Sequence, residues 1–511
     1  MVALLVGGLS ALGFAPLDWW PLTFLALTWL VNRVRRAPAV RAAFLIGLVF
    51  GTGHFIVGLN WIATAFTFQS NMPAWYGWGA VVLLATYLAL FPALCCALTW
   101  WFTARQPWAF AFIFAALWMG GEWLRATLLS GFAWDPIGMV WLRLPWVAQA
   151  AQWIGVYGLS GLAVLAAALL GAALQWRWRT AVGLAVLLSA LTMGLGYRMT
   201  ARQYAQDDST VRVRIVQPNI SQDTKYDPAL SEQHDRTYVD LSGAPSDAPR
   251  LLLWPEGATL HYLELEPDAV ANLTKLLGPR DILLTGGASA TPKDHDYTYH
   301  NSVFAIDHEG RFLWRYDKAH LVPFGEYLPL RPFFEHLGIS RLVPGERDFT
   351  PGTGAATYPL PGFSINGKPV LVGVQICYEI IFSGHVIDRA HRPSFLFNPS
   401  NDAWFGAWGP AQHLAQARMR AIEEGVAVIR ATPTGISAVI GPRGELRVSA
   451  PRQSERVLET LIPGGLPPTM FSRYGLWISL LVGIGLLGIG CLVRIPLQRG
   501  ELAGPSRYGG T

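Results

Sequence analysis

Charged residues are scarce in this chain: Asp, Glu, Lys and Arg supply 14% of it while 52% is hydrophobic, against about 25% charged in a typical soluble domain. That balance excludes an ordinary soluble enzyme and demands lipid for part of the molecule. Cysteine is almost absent, with four in 511 residues. Cys95, Cys96 and Cys491 fall in apolar runs, so Cys377 has no disulfide partner in the polar part of the chain, which excludes a disulfide-stapled scaffold. No GxxxxGK[ST] sequence occurs, so the phosphate cradle of a nucleotide-driven enzyme is missing. No low-complexity tract interrupts the chain before a Gly- and Pro-rich tail after 496, a composition that reads as disordered.

Long apolar runs are abundant. Runs near 42–63, 77–102, 107–124, 158–175, 179–197 and 474–493 approach or exceed the roughly 20 residues needed to cross a bilayer, and the shorter 2–16 and 20–32 bring the expected number of spans to eight. Residues 1–16 lack the basic start and A-x-A-like site of a cleavable leader, so they are read as a span. Arginine tests the arrangement, because basic residues accumulate on the cytoplasmic side. Arg33, Arg35, Arg36 and Arg41, then Arg105, then Arg177 and Arg179, then Arg494, Arg499 and Arg507 all fall on one side of an eight-span path. The alternate loops 17–19 and 64–76 carry no Lys or Arg, and 125–157 has only Arg125 and Arg143. The net charge of +5 is thus a signature of membrane topology and not of nucleic-acid binding. The expected organisation is a seven-span membrane domain over 1–197, a catalytic domain over 198–473 on the non-cytoplasmic face, an eighth span at 474–493 and a cytoplasmic tail at 494–511.

The polar block alternates short β-rich runs with amphipathic helical stretches, which defines an α/β domain. Strands are predicted at 211–217, 250–255, 281–287, 301–307, 370–376, 394–400 and 426–432, and helices at 266–278, 380–391 and 410–424. Several strands are apolar throughout, as in sheets covered on both faces.

Three chemically active residues close such apolar runs: Glu256 in RLLLWPEGA, Lys318 in FLWRYDKAH and Cys377 in KPVLVGVQIC. A buried cysteine at a strand end is commonly plain core, and a lone Glu or Lys is usually solvated surface. All three at strand ends would meet at one sheet edge, where α/β proteins build ligand sites. A thiol, a carboxylate to take its proton and a cation for a developing oxyanion are the parts of covalent acyl chemistry. A helix starting after Cys377 would favour its thiolate. Glu326 and Glu379 are further carboxylates nearby in sequence.

WPEGA around Glu256, YDKAHLVPFGEYLP around Lys318 and Glu326, and ICYEIIF around Cys377 resemble the three catalytic boxes of the nitrilase superfamily. With HLVPFGE, NPSNDAWFG (398–406) and RAIEEGVAVIRATPTGISAVI (420–440), the chain resembles the superfamily's membrane-embedded branch, the apolipoprotein N-acyltransferases. That resemblance implies an αββα nitrilase-like sandwich inserted between membrane helices seven and eight, with Cys377 as acylated nucleophile, Glu256 as general base and Lys318 as oxyanion stabiliser. It makes Glu326, Tyr378 and Glu379 supporting residues. It further implies a phospholipid acyl donor, a diacylglyceryl apolipoprotein acceptor, residence in a bacterial inner membrane with the catalytic domain in the periplasm, and neither metal nor cofactor; the chain is expected to act as a monomer. Tyr226 in SQDTKYDP stands where the family more often has Trp. A membrane-tethered amidase or nitrilase with the same three residues is the alternative.

Four residues are expected to meet lipid. Tyr226 lies beside the site, Arg125 at the outer end of span five is a phosphate contact or a snorkelling interfacial residue, and Trp404 and Phe405 in NDAWFGAWG are a gate dipping into lipid or a cap on the core. Asn60 late in span three is expected to bond a neighbouring helix.

Overall fold

The computed structural model describes residues 1–68, 72–103, 106–173, 209–293, 296–342, 347–365 and 367–494, and a few positions between 179 and 194. Most of the expected span 179–197, with Arg105, Arg177, Arg499, Arg507 and the tail after 494, lies outside these.

Four described helices are long and apolar enough to cross a membrane: Val40–Gly58, Tyr76–Thr103, Ala151–Ala172 and Leu476–Arg494. Pro107–Thr127 has the length, at 21 residues, but carries Glu122 and Arg125, both buried. Trp20–Arg35 has 16 residues and ends on Arg33 and Arg35. The run at 2–16 yields only Val2–Ala11, ten residues or about 15 Å, half of a hydrocarbon core. This short helix packs by glycine. A Cβ on Gly7 would lie 1.9 Å from the Phe50 carbonyl oxygen, and one on Gly53 2.0 Å from that of Leu4, so the two backbones touch as small residues allow in lipid. The run read as 158–175 starts earlier, at Ala151, and kinks at Gly155 (φ 68°).

The α/β domain consists of two six-stranded sheets. One runs β12-β1-β2-β3-β4-β5 and the other β11-β10-β9-β8-β7-β6, with β1 Arg212–Gln217, β2 Arg250–Leu253, β3 Ile282–Lys293, β4 Asp296–Asp307, β5 Phe312–Asp317, β6 Thr357–Ile365, β7 Lys368–Val374, β8 Phe395–Pro399, β9 Ala427–Ala431, β10 Ala438–Ile440, β11 Leu446–Ser449 and β12 Arg456–Leu461. β1, β2 and β3 are parallel, as are β7, β8 and β9. Val213, Ile215, Leu251, Leu253 and Leu284 face Val370, Val372, Phe395, Phe397 and Ile429 in a dry core between the sheets. The outer face of the first sheet buries Leu252 and Trp254 with Tyr238 of the helix Ser231–Ser242. The outer face of the second buries Leu396, Val428 and Ile440 in one apolar cluster with Leu414, Ala417 and Ala421 of the helix Gly409–Glu424 and with Trp134, Val156 and Leu159 of the membrane bundle. This is the αββα sandwich, seated on the membrane helices through one of its own layers.

One predicted element is absent. The stretch 380–391 forms no α-helix; Cys377–Ile381 is a five-residue 3-10 turn with turns and bends beyond it. No helix dipole therefore stands behind Cys377.

Candidate active site

Glu256, Lys318 and Cys377 each lie just past the ends of β2, β5 and β7, where the two facing sheets bring their strand ends together. Lys318 is 1% exposed and its Nζ stands 3.0 Å from Glu326 Oε1 and 3.5 Å from Glu256 Oε1. Asn301 on β4, which belongs to none of the sequence motifs, donates its amide to both carboxylates, at 2.8 Å to Glu256 and 2.7 Å to Glu326. The Asn401 backbone N–H donates to the other Glu256 oxygen at 2.7 Å, and the Cys377 thiol lies close enough to this carboxylate to lower it. A thiol, a carboxylate and an ammonium thus form one connected group.

Its electrostatics are set by burial against pairing. Burial works against the charge on Lys318, but Glu326 and then Glu256 outweigh it, so the ammonium is held charged. Burial would raise Glu256, yet Lys318, Asn301 and the thiol bring it below its ordinary value. Burial, with the Glu256 carboxylate next, pushes the Cys377 thiol well above its ordinary value over the opposing pull of Lys318. The resting group is therefore a neutral thiol beside a carboxylate, which corrects the expectation of a helix-stabilised thiolate.

Cys377 adopts φ 51°, a left-handed conformation that costs a non-glycine residue of order 1 kcal/mol or more. Two buried groups hold it there. Glu379 Oε2 accepts from the Ile376 N–H at 2.7 Å, while Oε1 accepts from Tyr316 Oη and the Ala319 and His320 N–H groups. That carboxylate thus ties the Cys377 turn to the Lys318 segment; burial pushes it up to about 7 against Lys318 and these donors. On the other side His413 Nε2 donates to the Cys377 carbonyl at 3.0 Å. His413 Nδ1 faces Asp402, itself paired with Arg430, and all three side chains are fully buried. Asp402 lies in NPSNDAWFG and Arg430 in RAIEEGVAVIRATPTGISAVI, both singled out from the sequence, whereas His413 lies in neither.

The membrane part reaches this site directly. Tyr378 Oη donates to the Gly131 carbonyl at 3.2 Å and His320 Nε2 to that of Ser130 at 2.7 Å. Arg125, 3% exposed, donates to the Trp134 carbonyl and lies over the Phe55 ring. It faces the inside of the bundle, so it is neither a lipid-phosphate contact nor a snorkelling residue. Asn60 bonds Val57 of its own helix at 2.7 Å, not a neighbouring one. Phe405 is wedged against Trp61, Trp134 and His413; it docks the sandwich on the bundle, which argues against a free gate. Trp404 meets Phe68 edge-on, and Tyr226 is 41% exposed.

Above the Cys377 sulfur opens a cavity of about 1410 Å³, lined by Glu256, Lys318, Glu326, Cys377 and Tyr378 on one side, by Ala80, Leu83, Leu84 and Tyr87 of the helix Tyr76–Thr103 on another, and by Tyr226 and Trp404. It exceeds the 300–1,000 Å³ usual for small-molecule pockets. Among the described residues no His, Cys, Asp and Glu group suited to a metal is found.

Such a sandwich, with Glu, Lys and Cys at its strand ends and an apolar cavity floor, defines a carbon-nitrogen hydrolase fold built onto membrane helices. The family model described as carbon-nitrogen hydrolase matches residues 212–465, and that described as the apolipoprotein N-acyltransferase N-terminal domain matches residues 6–169. The apolipoprotein N-acyltransferase of Rhodopseudomonas palustris is 37% identical over 501 residues, covering 93% of this chain and 91% of that one; that of Brucella melitensis is 34% identical over 520 residues, covering 95% of each. The chain belongs to the apolipoprotein N-acyltransferase family, a family of acyltransferases. Among solved structures, a CN-hydrolase superfamily protein from Xanthomonas campestris is 19% identical, with 54% of this chain and 97% of that one covered at a TM-score of 0.32. A carbon-nitrogen hydrolase from Helicobacter pylori is 16% identical, with 49% and 88% covered at 0.33.

Proposed function

We propose that this chain N-acylates the N-terminal diacylglyceryl-cysteine of apolipoproteins, taking the acyl group from a phospholipid and carrying it as a thioester on Cys377. The observation that carries this reading is the single cavity running from the Cys377 thiol to the apolar face of Tyr76–Thr103. An acyl chain lying along that helix presents its ester to the sulfur, a floor that a hydrolase of small amides does not need.

Glu256 takes the thiol proton as sulfur attacks the ester carbonyl, and Lys318 stabilises the oxyanion. Collapse breaks the ester C–O bond; the leaving alkoxide takes the proton back from Glu256 and departs as lysophospholipid. The acceptor's amine then attacks the thioester, loses its proton to Glu256 and expels the Cys377 sulfur, which recovers that proton. A thioester is a better acyl donor than the amide formed, so no further energy source enters. Glu326 keeps Lys318 in place, and Tyr378 and Glu379 hold the Cys377 turn. Tyr226 and Trp404 border the lipid cavity, and no cofactor or metal takes part.

The membrane domain is assigned to 1–197 with seven spans, the catalytic domain to 198–473 in the periplasm, the eighth span to 474–493 and the cytoplasmic tail to 494–511, for a monomer in the bacterial inner membrane. The one-sided arginines support this topology. Reporter fusions near 38 and 178 should read as cytoplasmic and any between 210 and 465 as periplasmic; the reverse would remove the lipoprotein substrate.

Mass spectrometry of enzyme incubated with phospholipid vesicles should find a fatty acyl adduct on Cys377 that a diacylglyceryl-cysteine peptide discharges as an amide far faster than water does. Rapid hydrolysis of short amides with no adduct would establish the amidase alternative instead. The paired groups also set the pH dependence of adduct formation. Glu256 is depressed below its ordinary 4.5 and Cys377 raised above its ordinary 9.0, so the competent thiol and carboxylate coexist across the neutral range. This pair has no titration near neutral pH, so a change there reports Glu379, which burial pushes up to about 7, and should vanish in Glu379→Gln, while acid protonation of Glu256 lowers the rate further; a rise near neutral pH that persists in Glu379→Gln would mean that Cys377 ionises independently of Glu256.

A further inference from the structure

Most cations lining the cavity are engaged by the protein itself. Lys318 is shared between Glu326 and Glu256, Arg347 pairs with Asp296, and Arg341 donates to the Glu326 carbonyl. Lys225 differs. It lines the same cavity beside Glu256, Gly257 and Tyr226 and is half-buried, yet among the described residues its ammonium makes no ion pair or hydrogen bond.

Its placement is built. Nζ stands 5.8 Å over the Tyr226 ring and against Gly257, where a Cβ would approach it to 2.6 Å. Gly257, at φ 58°, leaves the room a side chain would fill. The turn bearing Lys225 closes with its N–H on the Ser221 carbonyl at 3.0 Å. Asn401 fastens that turn through Gln222 at 2.9 Å while its own N–H holds Glu256. One residue thus fixes both the carboxylate and the loop that presents the ammonium.

The ammonium feels the Glu256 carboxylate across the cavity but makes no direct pair with it, so its donors stay open to an anion that a ligand brings. A glycerophospholipid carries its phosphodiester and its acyl esters on one glycerol, so an anion site must lie a short way from the nucleophile. The acceptor's reacting group is an amine and brings no such anion. Resting on the reading of the acyl donor given above, we propose that Lys225 binds the phosphodiester of the donor and selects phosphate-bearing lipids over neutral glycerides in the first half of the reaction.

The test compares Cys377 acylation by dihexanoylphosphatidylcholine, below its micelle-forming concentration so that no lipid surface is present, with acylation by dihexanoylglycerol, which lacks the phosphate. Lys225→Gln should lower the ratio of kcat/KM for the two donors on the order of tenfold or more, the scale of one charge-assisted hydrogen bond, and Lys225→Arg should restore most of it. Discharge of a preformed acyl-enzyme by peptide should not show the same loss. Equal losses on both donors would mean that Lys225 acts through Glu256, and an unaltered ratio would make it a bystander; either overturns the assignment and leaves the acyltransferase reading standing. Failure of the unmutated enzyme to form an adduct with any phospholipid would remove that reading, and this assignment with it.

Discussion

Cys377→Ala is expected to abolish both the acyl adduct and the N-acylated product, with no residual turnover that mass spectrometry of the peptide product can detect. Glu256 is bonded by Asn301 and by the Asn401 N–H and has the Cys377 thiol beside it, so among the described residues no second nucleophile sits on the proposed base. Tyr378, next in sequence, has its hydroxyl committed to the Gly131 carbonyl. The substitution removes a sulfur and little packing, and alanine inherits the left-handed backbone of Cys377, so the thermal midpoint should move little. Inactivity without unfolding identifies the sulfur as the lost part. Full N-acylation by the variant would overturn the covalent mechanism.

Most of the acyl-transfer group was legible because its parts close apolar strands. Runs that read as buried strands put Glu256, Lys318 and Cys377 at strand ends, and facing sheets bring those ends together. The turn after Cys377 was not legible: YEIIF has the apolar residues of a helix, but Glu379 folds back to bond the Ile376, Ala319 and His320 N–H groups, and these tertiary bonds win over helical propensity. Asn301 was hidden for a related reason. An asparagine at a strand start looks like a turn residue, and only the sheet pairing reveals that it spans two carboxylates. Arg125 misled because burial by helices distant in sequence leaves no local trace; the aromatic loop after it reads as an interfacial belt, whereas its Trp134 packs into the docking surface with Phe405 and His413.

Lys318→Ala should cost both turnover and stability, and the geometry separates the two. Loss of one oxyanion donor is worth about 3 kcal/mol, on the order of 100-fold in turnover. A lysine in a polar segment would ordinarily leave the fold untouched, but Lys318 is 1% exposed between Glu256 and Glu326. Its removal leaves two buried carboxylates sharing the Asn301 amide, with one backbone N–H each from Asn401 and Val322 and no cation between them, and stripping a partner from a buried pair costs as much as roughly 3–5 kcal/mol. One carboxylate will take up a proton to limit that cost, and if Glu256 does so the base is lost as well. Adding Glu326→Gln removes the surplus charge while leaving Glu256 its two donors, so Lys318→Ala/Glu326→Gln should regain much of the thermal midpoint. Turnover should stay at least about 100-fold down, because no donor returns to the oxyanion. Recovery of turnover together with the midpoint would make Lys318 a structural counter-ion and move oxyanion stabilisation to backbone N–H groups of the Cys377 turn.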